Sequence, residues 1–177
     1  MYCDGRNLQH VPHIPSHVKS IKDLRLGHNE ISKVLPELFE GMADLAALQL
    51  RGNATEDAGG VSEGLKSLTV LDMRENCPRK IPDNLPEALQ ELDLELTDID
   101  GMPEGFLTTK PKLQFVRLAQ NQLADEELPS NVFNVNTLDE LVLSFNRLEK
   151  IPVVSRNLEN HYLHADKIKG TAASLLR

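Results

Sequence analysis

LQFVRLAQN at residues 113–121 and LDELVLSFN at residues 138–146 are two copies of one pattern, L-x-x-L-x-L-x-x-N, and the rest of the chain can be read outward from them. The same spacing recurs at Ile21-Leu24-Leu26-Asn29, Leu45-Leu48-Leu50-Asn53 and Leu68-Leu71-Met73-Asn76. Degenerate forms occur at Leu89-Leu92-Leu94-Thr97 and Leu158-His161-Leu163-Asp166. One copy would mean little, because leucine is common; seven in series at a period of about 20–29 residues define a solenoid of leucine-rich repeats. Alternation around L-x-L puts the leucines on one side of a short strand and the intervening residues on the other. Stacked strands then form a curved parallel sheet on the concave face, with mostly irregular convex connections and few helices: an α/β-type repeat solenoid.

The asparagine closing each motif carries two amide donors and a carbonyl acceptor, enough to satisfy backbone groups of adjacent turns that would otherwise be buried unpaired. Thr97 and Asp166 lack part of that capacity, so looser packing is expected at both. Phe39, Phe106 and Phe133 precede the next repeat's first leucine and are expected to fill the convex side of the core. Other connections read like Ile81-Pro82-Asp83-Asn84-Leu85-Pro86, whose prolines favour extended backbone over helix. The organisation is a capping segment at 1–20, a repeat domain at 21–170 and a tail at 171–177.

With 27 acidic and 19 basic residues, the chain has a formal charge of −8. That balance argues against non-specific nucleic-acid or anionic-membrane binding, which needs a basic surface. No apolar run approaches the roughly 20 residues of a membrane span, and the first residues lack a signal-peptide pattern. Two cysteines are too few for a disulfide-built fold; Cys77, directly after Asn76, is expected to be a buried free thiol, and Cys3 has no evident partner. His10, His13 and His17 have helix-like spacing, but Pro12 and Pro15 interrupt any helix, so no metal site is expected. His161, at a leucine position, is expected to be partly buried. Neither a catalytic signature nor a phosphate-cradling loop is present, and no cofactor is expected.

Outward-facing positions line up in columns: Arg25, Gln49, Asp72, Asp93, Arg117, Val142 and Tyr162 in one, with columns through Glu91 and through Arg51, Arg74 and Glu95 on either side. Asp72, Glu91, Asp93 and Glu95 should therefore lie within a few strand spacings of about 4.8 Å, an acidic centre flanked by Arg25, Arg51, Arg74 and Arg117. Such a cluster is either a mutually compensated solvated face or a protein-binding patch for lysine and arginine side chains. The sole N-x-[ST] acceptor, Asn53-Ala54-Thr55, coincides with a ladder asparagine; its reading as a buried ladder residue stands beside a glycosylation reading at Asn53.

The repeat lengths run 24, 23, 21, 24, 25 and 20, long, long, short, twice over. In that order the chain resembles the small leucine-rich repeat proteoglycans of extracellular matrix. Residues 1–15, MYCDGRNLQHVPHIP, look like the segment that opens the repeat domain of the fibromodulin, lumican and keratocan subgroup, and FNVNTL at 133–138 and IPVVSRNLEN at 151–160 are similarly close. The resemblance implies a secreted matrix glycoprotein that binds fibrillar collagen through its concave face and modulates fibril assembly. It implies a collagen-contacting acidic residue at Glu95 alone; Asp93, Glu91, Asp72, Arg117 and Arg74 are added from adjacency. Against the family pattern, Cys3 stands where a four-cysteine cluster is usual, and no cysteine-bearing C-terminal ear is present. The chain thus reads as a shortened, truncated or engineered form without an internal disulfide, expected to expose its solenoid ends and to dimerise or fray there. The rival readings are a leucine-rich repeat recognition module, an engineered scaffold for another protein, or an intracellular adaptor.

Overall fold

In the computed structural model, which describes residues 1–15, 20–56, 61 and 65–169, seven three-residue strands form one parallel sheet in chain order. They are β1 (Asp23–Arg25), β2 (Ala47–Gln49), β3 (Val70–Asp72), β4 (Glu91–Asp93), β5 (Phe115–Arg117), β6 (Glu140–Val142) and β7 (Asn160–Tyr162). Each is the x-L-x at the centre of a repeat, and the register joins Leu24, Leu48, Leu71, Leu92, Val116, Leu141 and His161 in one row. No residue slips anywhere in the stack, so columns assigned by motif position are columns in space. His17 and the tail 171–177 lie outside the described residues.

The leucines on the inner side of the sheet form a continuous core with Phe39, Phe106 and Phe133, which reach it from the convex side. The connections hold only short 3-10 turns, Pro36–Phe39, Leu107–Thr109 and Asp125–Glu127, among the described residues. The proline-rich segment from Ile81 to Pro86 is non-helical, turning through Asn84 at φ 55°, with Ile81 and Leu85 buried.

The ladder is built as the amide chemistry requires. Asn121 is representative: its Nδ2 donates to the carbonyls of Leu94 (2.7 Å), Leu118 (3.2 Å) and Ala119 (3.3 Å). Its Oδ1 accepts from the Ile99 amide at 2.9 Å. Asn53, Asn76 and Asn146 bridge to the preceding repeat in the same way. At the N-terminus, Asn29 finds a partial repeat to hold. Its Nδ2 donates to the Cys3 carbonyl and its Oδ1 accepts from Arg6 and Leu8, while Cys3 N–H pairs with Arg25 and Tyr2 bridges to Arg25. Of the two solenoid ends expected to be open, this one is covered by residues 1–8; at the other, all three residues of β7 are exposed.

Three sequence expectations need correction. Thr97 lacks the bond to the preceding repeat that the asparagines make, but the loss is smaller than expected. Its hydroxyl bridges the Leu94 carbonyl (3.0 Å) and Asn121 Oδ1 (2.6 Å), and the backbone N–H that an asparagine there would accept belongs to position 78, which is proline. Cys77 is exposed, because the residue two after the ladder asparagine points inward and the one directly after it points out; Pro78 is buried in its place. His161 is likewise exposed, since among the described residues β7 is the last strand of the sheet and is paired on one edge only. At Asp166 the expected weakness is present: Oδ1 accepts from the Asn146 amide at 3.0 Å, but Oδ2 is buried without a partner, and desolvation raises its pKa.

Two substitutions separate these ladder positions. Asp166→Asn supplies the missing donor and is expected to raise stability by about 1 kcal/mol, or about 2–4 °C in thermal midpoint. Thr97→Asn should gain less, since its amide can reach the Met73 carbonyl of the preceding repeat but Pro78 has no N–H to donate. Equal midpoint shifts for the two would contradict this account.

Candidate protein-binding face

The x positions of β3 to β6 converge on an open groove of about 610 Å³ in the concave face, floored by Asp72, Asp93 and Arg117 and walled by Arg74, Glu95 and Glu140. The sheet places them there: Asp72 pairs in register with Asp93, Asp93 with Arg117, and Glu91 with Phe115. All six residues picked from the sequence, Asp72, Arg74, Glu91, Asp93, Glu95 and Arg117, line this one groove. Arg25 and Arg51 do not, being engaged by Asp23 at 3.0 Å and Glu75 at 2.8 Å.

Two guanidiniums organise the centre. Arg74 bonds both oxygens of Asp72, at 3.1 and 2.7 Å, and lies 3.3 Å from Asp93. The bond to Asp72 raises the Arg74 pKa. Arg117 bonds Glu91, and Glu140 at 2.8 Å, and stands 4.0 Å from Asp93. Glu140 was missed in the sequence as a site member, although its place two strands from Glu91 in the same column was available. Asp93 sits between the arginines with 5% of its side chain exposed. Burial pushes its carboxyl up to about 7, against the Glu95 amide that donates to it and the charge of Arg74.

Glu95 differs from its neighbours. It is half-buried, and among the described residues no cation lies within ion-pair distance of its carboxylate. Five carboxylates therefore face two arginines in the groove, which carries surplus negative charge.

Asn53 Nδ2 donates to the Leu26 and Leu50 carbonyls at 2.9 and 2.8 Å, and Thr55 is fully buried, so the sequon is committed to the ladder in the folded chain. Cys3 and Cys77 are both unpaired thiols. No group of three or more metal-capable side chains gathers among the described residues, and no described helix is long and apolar enough to cross a membrane.

Fold and face together define a leucine-rich repeat solenoid with a polar concave surface. The chain belongs to the small leucine-rich repeat proteoglycans, in the group of lumican and fibromodulin. It is 42% identical to chicken lumican over 85% of its length and 43% identical to bovine fibromodulin over 95%. A pig fibromodulin sequence, 42% identical, is covered to 99% of its own length by 84% of this chain. The chain spans 44% of the chicken lumican and 63% of the bovine fibromodulin. No family model matches it. Among solved structures, a leucine-rich repeat protein of Leptospira interrogans superposes with TM-score 0.71 at 26% identity, over 86% of this chain and 45% of that one. A chain from an octameric complex of Latrophilin 3, Unc5D and FLRT2 gives TM-score 0.78 at 22% identity, over 84% and 47%, a likeness of fold alone.

The buried acid yields a pH prediction. Between the ordinary value of 3.8 and about 7, folded Asp93 keeps a proton that the unfolded chain has released. The stability that goes with it is full below 3.8 and lost as pH rises through about 7. Relative to Asp93→Asn, the wild-type thermal midpoint should rise on acidification across this window; a difference that falls or stays flat contradicts the assignment.

Proposed function

We propose that the chain is a secreted extracellular-matrix module that binds protein rather than performing catalysis, and that it engages fibrillar collagen through the concave groove and so modulates fibril assembly. Membership of the lumican and fibromodulin group supports the setting. The observation that carries the site is Glu95, a half-buried carboxylate with no matching cation among the described residues, on the wall of a groove with five carboxylates and two arginines. Lysine and arginine side chains of a rod-like partner complete that balance, and partly desolvated pairs of this kind give specificity and fast encounter more than raw affinity.

Asp93, Glu91, Asp72, Arg74 and Arg117 act in this reading as the frame that holds Glu95 in a net negative field. Their carboxylates and guanidiniums already satisfy one another. Ser144 and His164, 3.1 Å apart on the far wall, do not form an exposed nucleophile: Ser144 is buried and the imidazole packs edge-on against Phe145.

Binding to collagen I fibrils tests the proposal. Glu95→Gln should weaken binding about tenfold, equivalent to about 1.4 kcal/mol, and reduce its salt sensitivity, while Glu104→Gln on an exposed convex turn leaves it unchanged. Equal binding by wild type and Glu95→Gln, or none by wild type, overturns it.

A further inference from the structure

The residue before each ladder position is in the left-handed backbone region in all seven repeats: His28, Gly52, Glu75, Leu96, Gln120, Phe145 and Ala165, with φ between 52° and 65°. The turn is obligatory, because here the chain leaves the sheet while its N–H still pairs with the next repeat, as Leu96 does with the Ala119 carbonyl at 3.0 Å and Phe145 with that of His164 at 3.0 Å. Glycine or asparagine takes this conformation cheaply; a bulky side chain costs on the order of 1 kcal/mol. Leu96 and Phe145 incur that cost and return little to the core, since they are 45% and 50% exposed. Strain and exposed apolar surface coincide at two positions on one rim of the groove, Leu96 directly after Glu95 and Phe145 two strands further on.

We propose that this rim is a docking strip for a collagen-type chain, a polyproline II strand with a three-residue repeat lying along the solenoid axis, with Leu96 and Phe145 as its apolar contacts and Glu95 as its charged one. The proposal rests on the collagen reading above and specifies how that partner lies. Its geometric basis is a match of periods. Register places Leu96 and Phe145 in one column two strands apart, about 9.6 Å at 4.8 Å per strand. A polyproline II strand rises about 3.1 Å per residue with three residues per turn, so the same face returns every 9.3 Å or so. An extended β-strand returns its face every 6.8 Å or so, and two turns of α-helix span about 10.8 Å. The triplet repeat fits alternate repeats of this solenoid best.

Charge and rigidity agree with that occupant. Glu95 directly precedes Leu96 and has no cation within ion-pair distance among the described residues, so a basic residue of the occupant meets an open carboxylate beside the first apolar contact. Phe145 is braced by the edge-on His164 ring, with centroids 5.4 Å apart, and His164 by Ser144. The Phe145 contact is thus held in place before a partner arrives, which lowers the entropic cost of docking there.

The test uses Leu96→Asn and Phe145→Asn, singly and combined, since asparagine accepts the left-handed turn and the full chain should keep or raise its thermal midpoint. The probe is a triple-helical peptide of Gly-Pro-Pro triplets carrying lysine in successive triplets. The double variant should bind it about tenfold more weakly than wild type, each single variant less so. Unchanged binding by the double variant, or no binding of the peptide by wild type, overturns the strip. If Glu95→Gln weakens fibril binding while the asparagine pair does not, the collagen reading stands and the strip is wrong. If the peptide is held through the rim but wild type ignores fibrils, the strip stands and the fibril reading fails.

Discussion

The asparagine ladder is the constraint on which the rest of this molecule depends. A three-residue strand carries too few backbone bonds to set its own register, and a slip by one residue would turn the leucines outward and the charges inward. Each ladder amide removes that freedom by holding carbonyls of its own repeat and the one before, and by accepting an N–H from the preceding loop. Because these groups are buried, leaving one unpaired costs more than a typical hydrogen bond contributes. The unbroken register from β1 to β7 follows, and with it the columns of the concave face.

Those columns convert sequence spacing into an electrostatic surface. Residues 20 or more apart in the chain become strand neighbours, and Arg74 and Arg117 are placed between carboxylates contributed by β3, β4 and β6. The cluster holds its acids at a cost. Asp93 is buried deeply enough to retain a proton well above the usual carboxylate range, even with two arginines near it. A fold selected for stability alone would place an apolar side chain there. A crowded set of acids, with Glu95 lacking a cation among the described residues, is what the proposed binding role requires, since there the partner brings the positive charge.

Most of this was legible in the sequence because motif position and spatial position coincide in a solenoid. The strands, the leucine core, the three phenylalanines and all six groove residues follow from counting. What counting missed has physical causes. Cys77 was misplaced by one residue, since the inward direction resumes two positions after the asparagine, where Pro78 sits. Thr97 is a smaller defect than it looked, because position 78 lacks the N–H that an asparagine would have accepted, a compensation between residues 19 apart. Leu96 and Phe145 carried no sequence signal, because only the backbone shows that their column is left-handed and faces solvent.

Zero-length carbodiimide cross-linking of the protein to collagen I fibrils, with the joined residues identified by mass spectrometry, tests the central claim most directly. A groove that presents one unmatched carboxylate to a basic rod should give cross-links between collagen lysines and Glu95 ahead of every other acid. Cross-links confined to exposed convex acids such as Glu104 and Glu126, with Glu95 unmodified, would contradict it.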